Sequence, residues 1–224
     1  MAEVYGVKPK MFTKEWWPYF WMYYKVHTIL IGFFSLSAIM FVTECATKVH
    51  YDLNVVYAGS GYYDSKVTDA LAGRIAEVAT DADDNGKINV WVEQINFSKG
   101  GTNNELDMNM QVKHDVEMSV ETYRLYLYDK AEAETMLARD QSGLMYTPVE
   151  EWAEVMPGAD KLLCDADEGV PYMVDLKDSA VLAEIGMDDS DIYVAVCQTT
   201  SQEKLAQNAY KSAVAAANML VSGK

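Results

Sequence analysis

The stretch YDLNVVYAGSGYYDSKVTDALAGRIAEV, residues 51–78, predicts the fold class of most of this chain. It opens with a short apolar run, YDLNVVYAG, which is typical of a buried β-strand, and a G-S-G turn follows at once. A helix capped by Asp64 or Ser65 comes next, because apolar residues recur at helical spacing after the turn: Val67, Leu71, Ile75 and Val78. A strand, a glycine turn and a helix in this order predict the first half of a strand–helix–strand unit.

The segments that follow continue this alternation. The loop TDADDNGK ends the helix, and KINVWVEQINF alternates as a second strand. Further strands are predicted over residues 121–129, 170–176 and 191–197, and further helices over 105–120, 131–140, 179–187 and 200–223, with a short one at Trp152. Strict alternation of helices and strands indicates an α/β protein with a mainly parallel sheet covered on both faces, a three-layer α/β/α domain.

Helix caps are predicted at three places. Asp129 with Glu132 forms a capping box, and Thr200 with Glu203 forms another. Thr147 with Glu150 repeats this pattern before Trp152, and Pro148 is expected at the first helical position, where its missing N–H is not needed.

The turn at residues 59–61 is the best placed candidate for a small-molecule site, because open α/β sheets bind ligands beyond the carboxyl ends of their strands. Its exposed amides and the Ser60 hydroxyl could hold an anion; the alternative is a tight turn that merely needs glycine. Nucleotide binding is rejected, because Tyr63 and Asp64 stand where a dinucleotide fingerprint has its third glycine. Tyrosines line sugar and peptide pockets, and they equally pack half-buried sheets. The candidate ligand-binding residues are Ser60, Gly61, Tyr62, Tyr63, Asp129 and Tyr172.

The acidic loop D-A-D-D-N-G matches the first half of a calcium-binding loop, with oxygen ligands at Asp81, Asp83 and Asn85. The twelfth position is Val92 in place of the glutamate that closes such a loop. The sequence therefore leaves two readings, a weak calcium site and an ordinary acidic turn. No other cofactor is expected.

Recognisable catalytic motifs are missing from the sequence. No serine lies in a G-x-S-x-G motif, and no CxxC pair is present. His27, His50 and His114 are expected in or beside an apolar segment and on a polar helix face, without a metal-type pair. Cys164 and Cys197 either pair in a disulfide or stay as buried free thiols. We therefore predict no catalytic residue.

Charge excludes one class of partner. The formal net charge is −16, and the excess lies almost entirely after residue 46. Such an acidic domain repels phosphates, so a nucleic acid partner is not expected.

Residues 26–43, VHTILIGFFSLSAIMFVT, carry no Asp, Glu, Lys or Arg. A helix of this length rises roughly 27 Å, close to the ~30 Å hydrocarbon core of a bilayer. Aromatic residues fill the preceding segment and suit the depth of the headgroups. Glu44 stands where a cleavable signal would need a small residue, so an uncleaved anchor is predicted; a buried core helix is the alternative.

Four lysines precede the predicted span, at positions 8, 10, 14 and 25, so the amino terminus is expected to stay cytoplasmic. The predicted organisation has three parts: a cytoplasmic or interfacial segment over 1–25, a transmembrane helix over 26–46, and an extracytoplasmic α/β domain over 47–224.

Two segments, LYLYDKAEAETMLARDQSGLMYTPVEEW (125–152) and VPYMVDLKDS (170–179), resemble a stretch of bacterial extracellular solute-binding proteins. The resemblance implies residues near a binding cleft at Asp129, at 143–148 and at Tyr172. The layout as a whole, an aromatic and basic amino terminus, one span and an acidic domain, is similar to uncharacterised single-pass membrane proteins of Firmicutes.

The sequence therefore predicts a membrane-anchored, extracytoplasmic ligand-binding or sensing domain with a solute-binding-like fold. The alternative is a non-catalytic accessory subunit of a larger membrane protein complex. The expected partners are the lipid bilayer, a small-molecule ligand and, for the alternative, another membrane protein.

Overall fold

The computed structural model describes residues 10–14, 16–47, 49–98, 105–119, 124–140, 143–188 and 190–223. The described residues fall into two compact units that divide between residues 49 and 50. The first unit is built on a single long helix, and the second is an α/β unit.

Helix α1, Trp16–Thr47, has 32 residues and begins before the predicted span at residue 26. The aromatic segment is therefore helical. Trp16 stacks on Phe20 with ring centroids 4.8 Å apart, because side chains four positions apart share one helix face. Within Trp16–Glu44 a window of 18 residues has a mean hydropathy of 1.9, and α1 is long and apolar enough to cross a membrane.

The second unit alternates strands and helices in chain order as far as residue 139, as the apolar periodicity predicts. One strand and one 3₁₀ turn, residues Ala159–Lys161, are additional to the predicted elements, because three residues are too few to show a period. The strands are β1 (Leu53–Gly59), β2 (Val90–Asn96), β3 (Leu125–Asp129), β4 (Leu162–Cys164), β5 (Pro171–Asp175) and β6 (Ile192–Val196). The helices are α2 (Ser65–Ala76), α3 (Glu105–Ser119), α4 (Lys130–Arg139), α5 (Val149–Trp152), α6 (Ala180–Ile185) and α7 (Lys204–Ser222). Beyond α4 the alternation is broken: α5 follows α4 directly, and β5 follows β4.

The six strands form a single mixed sheet in the order β2-β1-β3-β6-β5-β4. Strand β1 pairs in parallel with β2 and with β3. The pairings β3–β6, β6–β5 and β5–β4 are antiparallel. The α/β class is confirmed, whereas the prediction of a mainly parallel sheet is not, since antiparallel pairings hold its second half.

The length of the connections explains the change of direction. Helix α6 joins β5 to β6 and has six residues, so it rises only ~9 Å, whereas a five-residue strand spans ~17 Å. A helix that short does not span the length of a strand. It therefore does not by itself return the chain to the end at which β5 began, as the helix of a crossover between parallel strands does. Strand β6 therefore runs antiparallel to β5.

The sheet separates two clusters of buried side chains. Alternate residues of β1 belong to different clusters: Val55 and Tyr57 to one, Val56 and Ala58 to the other. Buried residues of α2, α5, α6 and α7 belong to the first cluster, and those of α4 to the second. Strand β1 is buried on both faces, which explains its continuous apolar sequence.

The predicted caps are realised only in part. The Asp64 side chain accepts a hydrogen bond from the Lys66 amide at 3.3 Å and caps α2, as predicted. Asp129 precedes α4 but makes no side-chain cap bond, so the predicted capping box with Glu132 is wrong. Pro148 is the N-cap residue of α5, one position before the expected place. Glu203 is itself the N-cap residue of α7 and makes no side-chain cap bond, so the predicted capping box of Thr200 with Glu203 is wrong.

His114 on α3 is fully buried, so its predicted position on a polar helix face is wrong. Its Nε2 lies 2.9 Å from the Tyr128 hydroxyl, which in turn lies 2.9 Å from the Tyr146 hydroxyl. These hydroxyls come from β3 and from the loop before α5, and the Tyr128 hydroxyl is the partner of Nε2, while Nδ1 lies 3.5 Å from Oδ1 of Asp115. Burial lowers the pKa of His114, although the adjacent Asp115 carboxylate opposes this effect.

The buried His114 predicts a loss of stability in mild acid. The folded state keeps this imidazole neutral below pH ~6.5, where the unfolded chain takes up a proton, so falling pH favours unfolding by up to about 1.4 kcal/mol per pH unit. Thermal unfolding of the full chain in detergent, followed between pH 7 and pH 5, measures the effect. The variant His114→Gln removes this titration, so its midpoint should fall less over the same interval. Asp115, Arg139 and the neighbouring tyrosines are unchanged in this variant. An equal fall in both proteins would therefore show that His114 is not the group whose protonation destabilises the fold.

Cys164 and Cys197 do not form a disulfide with each other: Cys164 is exposed and Cys197 is buried. Of the two readings left open by the sequence, the disulfide between them is therefore wrong. The buried-thiol reading holds for Cys197 alone, since Cys164 lies at the exposed end of β4.

Candidate functional site

The carboxyl ends of β1 and β3 open into a cleft. The connection through α2 leads from β1 to β2 on one side, and the connection through α3 returns past β1 to β3 on its other side. The ends of β1 and β3 therefore form a topological switch point, where open α/β sheets hold their ligands. A cleft of about 530 Å³ lies at this point, which is within the usual size range of small-molecule sites.

Asp129, the last residue of β3, is the best fixed side chain in the cleft. The Tyr57 hydroxyl donates to its Oδ1 at 2.6 Å. The Ser60 amide and hydroxyl donate to its Oδ2 at 2.7 Å and 2.9 Å. The carboxylate that sequence reasoning assigned to the helix cap thus points across the sheet to the end of β1. Three hydrogen bonds leave a carboxylate about one further acceptor position for a ligand.

Two glycines make this arrangement sterically feasible. A Cβ added at Gly59 would lie 2.5 Å from Oδ1 of Asp129, and one added at Gly61 would lie 2.5 Å from the Tyr57 hydroxyl. The glycines are therefore needed for close approach of the two side chains. A tight turn that merely needs glycine does not account for this role. The side chains that the added Cβ atoms would meet, Asp129 and Tyr57, lie outside the turn.

The amides of the turn are occupied within the protein. The Ser60 amide donates to Asp129, and the Gly61 amide donates to the Tyr57 hydroxyl at 3.0 Å. The Tyr63 amide donates to Oε1 of Gln94 at 2.9 Å, and Gln94 returns a bond to the Tyr63 carbonyl. The Ser60 and Gly61 amides that the sequence suggested for an anion therefore already have acceptors, and anion binding at this turn stays a prediction.

Tyrosine hydroxyls near Asp129 are held in their neutral form. Burial and the Asp129 carboxylate raise the pKa of Tyr57 far above its usual range. The pKa of Tyr63 is raised by burial first and by Asp129 second. The two rings meet edge to face with centroids 4.9 Å apart, so together they form an aromatic wall of the cleft.

Four of the predicted ligand residues, Ser60, Gly61, Tyr63 and Asp129, line this cleft, and the other two do not. Tyr62 is 80% exposed and is not part of the lining. Tyr172 lies in a different cavity of about 730 Å³ that is also lined by Asp140, Gly143 and acidic residues of the loop after β4. Residues that sequence reasoning missed complete the first cleft: Tyr57, Lys130, Ala131, Glu134, Asp188, Ser190, Asp191 and Ile192.

Asp191 shows why part of the lining was missed. It immediately precedes β6, which is antiparallel to β3, so the start of β6 lies beside the end of β3. The Lys130 amide donates to the Asp191 carbonyl at 2.9 Å and fixes this contact. If β6 ran parallel to β3, Asp191 would lie beside the first residue of β3, at the opposite end of the strands from the cleft. The signal that could have found it is the shortness of the predicted helix over 179–187.

The acidic loop after α2 lies elsewhere in the α/β unit. Ligand atoms of Asp81, Asp83 and Asp52 lie within 4.8 Å of one another, the one such metal-type group in the part of the chain that the structure describes. Asn85 is not part of this group, and its Oδ1 accepts a hydrogen bond from the Lys87 amide at 2.8 Å. Calcium at this loop stays a prediction.

Asp52 was missed because it lies far from the loop in sequence. Its Oδ1 accepts from the Ala82 amide at 2.7 Å, and its Oδ2 accepts from the Asn89 amide at 2.8 Å. Only 3% of Asp52 is exposed. This carboxylate therefore ties both ends of the acidic loop to the start of β1.

Comparisons with protein-family models, with curated proteins and with solved structures find no match for this chain.

Proposed function

We propose that this chain is a membrane-anchored, extracytoplasmic protein whose α/β domain binds a small molecule, as a sensor or a ligand-presenting domain with a solute-binding-like fold. The observation that carries the proposal is the cleft at the switch point, in which Tyr57 and Ser60 fix the Asp129 carboxylate. A preformed concave site with a positioned polar group and an aromatic wall is the usual form of a ligand site. The proposal takes the domain to be a three-layer α/β/α arrangement, supported by the two core clusters.

A ligand screen tests the proposal. The full chain in detergent is unfolded thermally in the presence of sugars, short peptides, amino acids and simple amines. A compound that binds the folded state raises the free energy of unfolding by mass action, by about 2.7 kcal/mol at a hundredfold excess over Kd. The unfolding midpoint rises with it. The same compound should give no rise with Asp129→Ala, and an unchanged midpoint with every compound would refute the proposal.

The orientation in the membrane is part of the proposal. Support comes from the lysines before the span, Lys10, Lys14 and Lys25 among the described residues, which favour a cytoplasmic amino terminus.

Protease treatment of intact cells is expected to remove a carboxyl-terminal epitope tag and to spare an amino-terminal one. The α/β unit lies outside the cell in this orientation, while the bilayer shields the first residues. Blots for both tags, before and after protease, measure the result, and lysed cells should lose both. Survival of the carboxyl-terminal tag on intact cells would contradict the proposed orientation.

The alternative function, a non-catalytic accessory subunit, predicts a different result. A membrane protein should then copurify with the full chain in stoichiometric amount after mild detergent extraction, and none of the screened compounds should raise the unfolding midpoint.

A further inference from the structure

The cleft at the ends of β1 and β3 carries an excess of negative charge. Its lining contributes the carboxylates of Asp129, Glu134, Asp188 and Asp191, against one cationic side chain, Lys130. The acids come from two separate parts of the chain: Asp129 and Glu134 across the junction of β3 and α4, and Asp188 and Asp191 before β6. Folding therefore brings them to one opening, where charges of like sign reinforce each other and attract a ligand of opposite sign.

Two of these carboxylates are unengaged. The side chains of Glu134 and Asp191 are exposed and make no hydrogen bond to the described residues. Asp129 retains about one acceptor position after its bonds to Tyr57 and Ser60. The cleft thus offers acceptors at several separate points.

Donors are scarce at the same opening. The Ser60 and Gly61 amides and the Ser60 hydroxyl already have acceptors within the protein. The Ser190 amide donates to Oδ1 of Asp188 at 3.0 Å. An anionic ligand would meet mainly acceptors there, with Lys130 as its one positive contact.

A compact metal ion also fits this cleft poorly. Calcium needs six to eight oxygens at about 2.3–2.6 Å from one centre. Among the described residues the carboxylates of the cleft do not converge to such a group, in contrast to Asp52, Asp81 and Asp83. Separate acceptors around an open volume suit a larger cation that carries several N–H donors.

The aromatic wall suits the same class of ligand. The half-buried Tyr63 ring borders the cleft and packs edge to face on the buried Tyr57 ring, and a cation near an exposed aromatic face gains about 0.5–1 kcal/mol. Both hydroxyls are neutral, so the rings add no charge of their own to the cleft.

We propose that this cleft binds a small organic cation, a molecule with one or two ammonium groups held among the Asp129, Glu134 and Asp191 carboxylates and beside the Tyr63 ring. The inference rests on the proposed ligand-binding function and names the class of its ligand. The ammonium hydrogens supply the donors that the lining lacks, and the alkyl portion packs on the half-buried Tyr63 ring.

Calorimetric titration of the full chain in detergent tests the class. The probes are putrescine and L-lysine, with choline, whose quaternary ammonium has no N–H, sodium acetate, inorganic phosphate, glucose and calcium chloride as comparisons. At least one ammonium compound should bind, more weakly as salt rises because the pairs are exposed.

Two variants of opposite charge change should shift affinity in opposite directions. The double variant Glu134→Gln/Asp191→Asn should raise the Kd of the ammonium probe about five- to tenfold, since each exposed pair contributes a few-fold. Lys130→Gln removes a like charge and should lower the Kd about two- to threefold. The double variant Asp69→Asn/Glu150→Gln also removes two negative charges, but from exposed positions outside the cleft. It should change the Kd little.

The outcomes separate the two proposals. Binding of acetate, phosphate or glucose that Asp129→Ala abolishes would overturn the ammonium class and keep the ligand-binding function. Binding of calcium in place of the amines, lost in the Glu134 and Asp191 variant, would also overturn the class. Ammonium binding that the cleft variants leave unchanged would place the site elsewhere and overturn the inference. Failure of every probe, together with a failed thermal screen, would overturn both proposals.

Discussion

Replacing Gly59 with alanine is expected to abolish ligand binding at the cleft and to lower the free energy of unfolding by about 2–4 kcal/mol. The added Cβ would lie 2.5 Å from Oδ1 of Asp129, so the carboxylate must leave its position. Its bonds to the Tyr57 hydroxyl and to Ser60 are then lost together. Thermal unfolding and titration with the ammonium probe measure the two effects on the same full-length protein.

Gly73→Ala provides the matched control for Gly59→Ala. Gly73 lies within α2, and a Cβ added there meets nothing within 4 Å. Alanine is the better helix former, so this variant should gain about 0.5–1 kcal/mol in stability and keep its ligand affinity. Wild-type stability and binding in Gly59→Ala would show that the fixed Asp129 carboxylate is not required.

Replacing Asp52 with alanine is expected to lower the free energy of unfolding by about 3 kcal/mol, because it leaves the Ala82 and Asn89 amides without their acceptor. For a domain of this size such a loss corresponds to a fall of about 6–12 °C in Tm. Circular dichroism during thermal unfolding of the full chain measures it. The carboxylate is almost fully buried, so water cannot easily take its place.

Two further variants sharpen the Asp52 prediction. Asp52→Asn keeps the shape and one acceptor oxygen, so its stability should lie between those of the wild type and Asp52→Ala. Asp69→Ala removes an exposed carboxylate of α2 and should stay within about 0.5 kcal/mol of the wild type. A Tm for Asp52→Ala equal to that of Asp69→Ala would contradict the role of Asp52 as the tie of the loop.

The candidate site could be predicted from the sequence only in part. The turn after β1 and Asp129 after β3 follow from strand ends, which apolar runs locate well. The direction of the Asp129 side chain does not follow, because the same spacing to Glu132 satisfies a capping box. Which of two local arrangements forms depends on Tyr57 and Ser60, which lie about 70 positions earlier in the chain.

His114 illustrates the same division for the core. Its neighbours on α3 are polar, and the helix has almost no amphipathic pattern, so the sequence predicts an exposed ring. The Tyr128 hydroxyl supplies a hydrogen bond inside the core and makes burial of the neutral imidazole acceptable. Hydropathy reports the cost of removing a side chain from water and carries no information about such a partner.

The sequence by itself determined the kinds of element and their order: one long apolar helix, then strands and helices in alternation, with a glycine turn after the first strand. These follow from periodicity and composition, which act between near neighbours in the chain. The tertiary structure decided the strand directions beyond β3, and therefore the position of Asp191 in the cleft. It also decided that the Asp129 side chain bonds to Tyr57 and Ser60 and that Asp52 bonds to both ends of the acidic loop. Each depends on groups that are distant in sequence and that meet only when the sheet has formed.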